Sequence, residues 1–142
     1  MTIDRELVTR KLLLVTTDLE SLGPIQAKGL DAYLGNDIDQ SVVERRLERI
    51  VSRMIDTNYH LITSIGQAPP ADYHPSFFKL VELGVIDAEF ARRIAGAAGL
   101  RNRLVHDYED IDPQKIFEAL GSALRDVPIY LERVHEFVKA GR

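Results

Sequence analysis

The chain has 142 residues, a formal net charge of -4 and no cysteine, so disulfides and thiolate metal sites are excluded and a reducing compartment is its natural setting. This is the length of one domain, 1–142, which buries roughly two-thirds of the surface its unfolded chain exposes and forms one core without staples. The apolar stretches are too short to cross a bilayer and Met1-Thr-Ile-Asp-Arg-Glu6 is no signal peptide, so a soluble cytoplasmic protein with no membrane association is expected.

Helical spacing of apolar residues runs through most of the chain, and strand alternation is nowhere sustained. The first helix carries Val8, Leu12, Val15, Leu19 and Leu22, and Gly23-Pro24 is expected to end it. A second begins near Ser41-Val-Val-Glu44, a capping-box pattern, with Val43, Leu47, Ile50, Met54, Leu61 and Ile65 on its stripe. Gly66 and Pro69-Pro70 stop it. A short helix starts at Tyr73-His-Pro75 and closes at Gly84. Asp87 caps the next, whose stripe is Phe90, Ile94, Ala97, Arg101, Leu104 and Tyr108.

Asp112-Pro113 opens the last helix, with Ile116, Leu120, Ala123, Val127, Tyr130, Val134 and Phe137 on one face and Pro128 as a point of kinking or division. A second row, Phe117, Leu124, Leu131 and Val138, either completes the monomer core or supplies a twofold interface. The fold class is therefore all-α, an up-and-down four-helix bundle with an additional short helix.

The acidic balance argues against coating nucleic acid by bulk electrostatics, yet two basic stripes stand out locally. Arg92, Arg93, Arg101 and Arg103 form one, and Arg45, Arg46, Arg49 and Arg53 the other. Each is either a solvated helix face or a track for a phosphate chain. Arg101 is anomalous, because an arginine in an apolar seam needs partners or a cleft. His106 lies five residues on, about 140° around a regular helix, so the two converge only through a bend or a second subunit. Asn102 and His106 share a face, where the amide can orient the imidazole, and Arg103 and Asp107 are spaced as a surface ion pair. Asp56 and His60 are spaced for a hydrogen-bonded pair, a minor metal site or a support for the cleft, with pairing the simplest reading. The four histidines show no His-x3-His spacing, and no metal or other cofactor is expected.

Leu100-Arg-Asn-Arg-Leu-Val-His-Asp-Tyr108 resembles the signature of HEPN ribonucleases, an arginine followed after four residues by histidine, and the added tyrosine is similar to the HepT toxin subgroup. The likeness extends through Leu34-Gly-Asn-Asp37, Val43-Glu-Arg-Arg-Leu47, Asp56-Thr-Asn-Tyr-His-Leu-Ile62, Leu80-Val-Glu-Leu-Gly-Val-Ile86 and Tyr108-Glu-Asp-Ile-Asp112. The resemblance implies a helical homodimer whose two motifs face each other and cleave RNA without metal, with Arg101 and His106 catalytic. It also implies a minimal nucleotidyltransferase antitoxin that adenylates Tyr108. Histidine and arginine suit such chemistry, since attack by a ribose 2′-hydroxyl needs a base, a proton donor and positive charge on the phosphate. The alternative from another class is a non-catalytic helical module that binds a nucleotidyltransferase and lends it a nucleotide-binding surface.

Overall fold

A computed structural model describes residues 2–106 and 108–141, and all regular elements among them are helical. In chain order they are α1 (Arg5–Ala27), α2 (Leu30–Leu34), α3 (Asp37–Ser64), α4 (Tyr73–Glu82), α5 (Ala88–Ile94), α6 (Gly96–His106), a 3-10 turn (Tyr108–Asp110) and α7 (Pro113–Lys139). The long helices α1, α3 and α7 pack on one another, and α4, α5 and α6 lie against α3 and α7 at one side.

Caps decide several boundaries. Asp4, Asp87 and Asp112 each accept a backbone N–H of the first turn, and Pro113 follows the last of these at the first helical position. The start of α3 corrects the expectation at Ser41: Asn36 takes the N–H of Asp39 at 2.9 Å, and Asp37 and Asp39 complement the helix dipole. Helix therefore begins four residues before the Ser41 box. Between Gly29, at φ 92°, and Gly35 lies α2, a turn of helix without a strong sequence signal.

Gly23-Pro24 does not end α1, which continues to Ala27. Pro24 is exposed near the last turn, and the carbonyl that loses its donor belongs to exposed Glu20, where water can serve it. Leu22 is fully buried, and Ile25 packs against the core, so the extra turn is held by tertiary contact.

Buried residues from Ile3 to Val138 form one cluster. Its centre is the inner face of α3, where Val43, Leu47, Ile50, Met54, Leu61 and Ile62 are at 1% exposure or less. Each such aliphatic side chain contributes roughly 1.5–3 kcal/mol by leaving water. Ile65 leaves the stripe, being 40% exposed just beyond the helix. Of the second row of α7, Val138 is buried in the core, while Phe117, whose ring lies 5.3 Å from that of buried Tyr33, Leu124 and Leu131 are half-buried against the cluster.

Polar groups tie the helices together. Asp18 of α1, buried, meets Arg53 at 2.8 Å and Arg49 at 3.2 Å. Asp126 of α7, also buried, takes Arg93 at 2.9 Å and Arg125 at 3.1 Å. Burial alone would raise the Asp126 carboxyl, but hydrogen bonds and charge from the two guanidiniums hold it below the ordinary carboxylate value. The Tyr130 hydroxyl, fully buried, donates within reach of the Met54 carbonyl and Asn58 Oδ1. Asn58 Nδ2 in turn donates to Ser76 Oγ at 3.0 Å, and that hydroxyl to the Tyr73 carbonyl. This line joins α7 through α3 to the first turn of α4.

Candidate active site

The expected single helix after Asp87 is two helices. The break falls at Ala95, where Ala98 N–H bonds back to the Ala95 carbonyl at 3.1 Å, a three-residue closure, and Gly96 and Gly99 weaken helix propensity on its far side. The break changes which face is buried. Phe90 and Ile94 of α5 are inside, but on α6 the buried residues are Ala98 and Leu100, while Ala97, Arg101 and Leu104 are only half-buried. Arg101 thus sits at the margin of the core rather than in a dry seam.

Its partner is an aromatic ring. The Arg101 guanidinium lies 5.1 Å from the Tyr73 ring centroid, a cation–π stack that keeps the charge partly solvated while its stem packs. Tyr73 is held on two sides. Its carbonyl ends the Tyr130–Asn58–Ser76 line, and its ring meets Tyr59 edge-on at 6.1 Å. The Tyr59 hydroxyl donates towards the carbonyls of Pro70 and Asp72, at 2.8 and 3.1 Å, fixing the loop before α4. Burial, then Tyr73 and Asp72, push the Tyr59 phenol up, which keeps it a donor. Tyr59, Tyr73 and Asn58 were absent from the candidates read from sequence, because their role depends on α4 folding back onto α6.

His106 is the exposed last residue of α6, and the helix is unbroken between Arg101 and His106. The two therefore point about 140° apart on one chain. Asn102 makes no hydrogen bond to His106 among the described residues; it is exposed and lines a cleft with residues 71–75, the end of a loop and the first turn of α4. The 3-10 turn begins at Tyr108, whose side chain lies outside the described part, as does Asp107 and with it the expected pair to Arg103.

Two further expectations are corrected. Asp56 and His60 do not pair. Asp56 faces Lys11 at 3.6 Å, and His60 Nε2 accepts the backbone N–H of Asp4 at 3.1 Å, because α1 packs beside this face of α3 and offers both partners. Of the stripe Arg45, Arg46, Arg49 and Arg53, Arg45 pairs with Glu48 while Arg49 and Arg53 share Asp18, so part of its charge is offset within the chain. On the α5–α6 side Arg93 is bound to Asp126, while Arg92 and Arg103 are exposed. Among the described residues no three histidine or carboxylate side chains gather as a metal site, and no helix is long and apolar enough to cross a membrane.

The family model described as Ribonuclease HepT-like matches residues 15–134. The chain belongs to the HepT-like ribonuclease family, and it is a ribonuclease by that membership. It is 32% identical over 136 residues to a protein named tRNA nuclease HepT from Aphanizomenon flos-aquae, a match spanning 96% of this chain and 92% of that one. A solved structure of a tri-AMPylated Shewanella oneidensis HEPN toxin in complex with MNT antitoxin is similar at a TM-score of 0.82 and 18% identity, covering 92% of this chain and 97% of the other. YutE, a cytosolic protein of unknown function from Bacillus subtilis, is similar at 0.81 and 17%, covering 99% and 94%. The all-α, HEPN-like fold expected from the sequence is the observed one.

Proposed function

We propose that the protein is the toxin of a toxin–antitoxin pair, a metal-independent endoribonuclease that works as a homodimer and is silenced by adenylation of Tyr108. One observation carries this reading: in a chain of the HepT-like family, the arginine and histidine of the Arg-x4-His-x-Tyr motif lie on α6, with the arginine stacked on Tyr73 beside a cleft. Arg101 binds the scissile phosphate and balances the charge that grows on it. One His106 imidazole takes the proton of the 2′-hydroxyl as its oxygen attacks phosphorus. The phosphorus–5′-oxygen bond breaks, and an imidazolium gives a proton to the departing oxygen. The products are a 2′,3′-cyclic phosphate and a 5′-hydroxyl.

The unbroken helix between Arg101 and His106 favours a site composed from two subunits, since one chain alone points the pair apart. Adenylation transfers AMP from ATP to the Tyr108 phenolic oxygen with loss of pyrophosphate, adding bulk and negative charge that compete with RNA for Arg101. The antitoxin is a minimal nucleotidyltransferase, of the kind named MNT in the Shewanella complex. Transfer RNA, in the name of the Aphanizomenon relative, is the first substrate to assay.

Wild type and His106→Ala are expressed in matched cells and then incubated, purified, with transfer RNA in EDTA. Wild type should arrest growth and leave 2′,3′-cyclic ends, and His106→Ala should do neither. Activity that disappears in EDTA and returns with Mg²⁺, or cleavage retained by His106→Ala, would overturn the mechanism.

A further inference from the structure

Beside the Arg101–Tyr73 stack lies an open cleft of about 700 Å³, walled by Ala71, Asp72 and the first turn of α4 on one side and by Ala98, Gly99 and Asn102 of α6 on the other. Its lining suits a nucleobase: Tyr73 supplies an aromatic residue, Gly99 a stretch of wall without a side chain, and Asp72 and Asn102 hydrogen-bonding groups on opposite walls. Asn102 offers a donor and an acceptor. Asp72 precedes α4 but makes no side-chain cap hydrogen bond, which leaves its carboxylate free to accept. The His74 ring is braced at 5.3 Å against Phe78 and borders the same space. The Tyr59 hydroxyl ties this wall to α3 through the carbonyls of Pro70 and Asp72. Unpaired polar side chains on both walls can read a base edge, which phosphate contacts alone cannot.

We propose that this cleft is a base-recognition subsite for the RNA strand next to the phosphate bound by Arg101, with Asn102 and Asp72 selecting a base that carries an exocyclic amino group. The proposal rests on the nuclease reading above and supplies its sequence preference. A carboxylate accepts from the amino group of adenine, cytosine or guanine and repels the O4 carbonyl of uracil. Asn102 is then a specificity residue of the cleft rather than an orienting partner of His106. Its neighbour Arg101 fixes the register, since phosphate contacts position and base contacts specify.

Two measurements separate the subsite from the nuclease reading. In the first, the full-length His106→Ala protein is titrated by fluorescence anisotropy with 2′-O-methyl tetranucleotides that differ at one base, which no 2′-hydroxyl mechanism can cleave. Adenine, cytosine or guanine at one position should bind roughly tenfold tighter than uracil, the factor carried by one hydrogen bond to a charged group. Adding Asn102→Leu should flatten that preference, and adding Asp72→Asn, which can also donate, should admit uracil. Gly99→Leu should put a side chain on the α6 wall; its Cβ meets only Arg103 Nη1, at 3.5 Å, and circular dichroism checks the fold. In the second, cleavage positions are mapped for wild type, Asn102→Leu and Gly99→Leu with His106 intact, and the variants should raise KM and lose the flanking-base preference while kcat changes little. Base-dependent binding without cleavage by wild type would sink the nuclease reading and keep the subsite. Cleavage with an identical base preference in all three proteins, or anisotropy indifferent to the base, would overturn the subsite.

Discussion

Tyr130→Phe tests the buried line from α7 to the Arg101 platform with the smallest change available, one oxygen atom. The ring can stay where it is, with Phe77 at 6.3 Å between centroids. The hydroxyl it loses lies 3.0 Å from the Met54 carbonyl and bonds Asn58 Oδ1. Met54 lies inside α3, so its carbonyl keeps a helical partner. Asn58 Oδ1 does not, and Asn58 is at 0% exposure, beyond the reach of water. The expected loss is therefore that of a stranded buried acceptor, about 1–3 kcal/mol rather than the roughly 0.5–1.5 kcal/mol of an average bond, a fall of roughly 3–12 °C in Tm for a domain of this size. Urea unfolding at fixed protein concentration should move the midpoint and leave the slope unchanged. Removing the amide as well, in Tyr130→Phe with Asn58→Leu, should destabilise less than the sum of the two single changes, because no acceptor is then stranded. A loss below about 0.5 kcal/mol for Tyr130→Phe, or strict additivity in the double variant, would refute the reasoning.

Leu47→Ala, at a fully buried position, should cost about 2–5 kcal/mol in urea unfolding, whereas half-buried Leu104→Ala should cost less than about 2 kcal/mol, and equal losses would contradict the observed margin of α6. Because the Asp126 carboxyl lies below its ordinary value, its stabilisation is complete above the unfolded value of about 3.9 and is lost as pH falls through the lower folded value. Wild type should accordingly lose more Tm than Asp126→Asn between about pH 5 and pH 2, and parallel curves would dismiss the Arg93–Asp126–Arg125 cluster as an acid-labile tie. Co-expression with a cognate nucleotidyltransferase should add adenylate to Tyr108 by peptide mass spectrometry, and Tyr108→Phe should escape; an inhibited toxin with unmodified Tyr108 would exclude adenylation as the cause.

Local chemistry made the helical architecture legible. Asp87 and Asp112-Pro113 sit where caps and a first-turn proline belong, and both start the helices expected of them. Misreadings arose where a distant part of the chain overrides a local cue. Leu22 and Ile25 carry α1 through Gly23-Pro24, and a break at Ala95 turns α6 so that Arg101 leaves the stripe its spacing implied. The same holds at the site. The Arg101 and His106 pattern is visible in the sequence, but spacing cannot reveal that Asp18, from another helix, absorbs Arg49 and Arg53, or that Lys11 and Asp4 take Asp56 and His60 from each other. Nor can it reveal Tyr73, which meets Arg101 only after the 65–72 loop brings α4 back over α6.

The order in which these parts emerge during synthesis gives α7 a further role. A domain folds as a unit, so a chain still being made cannot complete this one before α7, which follows α1, α3 and α6 in the sequence. Until α7 docks, the faces of α1 and α3 that receive Leu120, Val127, Tyr130 and Val134 stay open, and Asn58 has no phenol to anchor it. The line from Asn58 through Ser76 to Tyr73, and with it the seat of Arg101, is then loose. A nascent chain that already displays Arg101 and His106 thus lacks a settled arginine, and the surface proposed to cut RNA matures only when a helix translated after it closes the bundle.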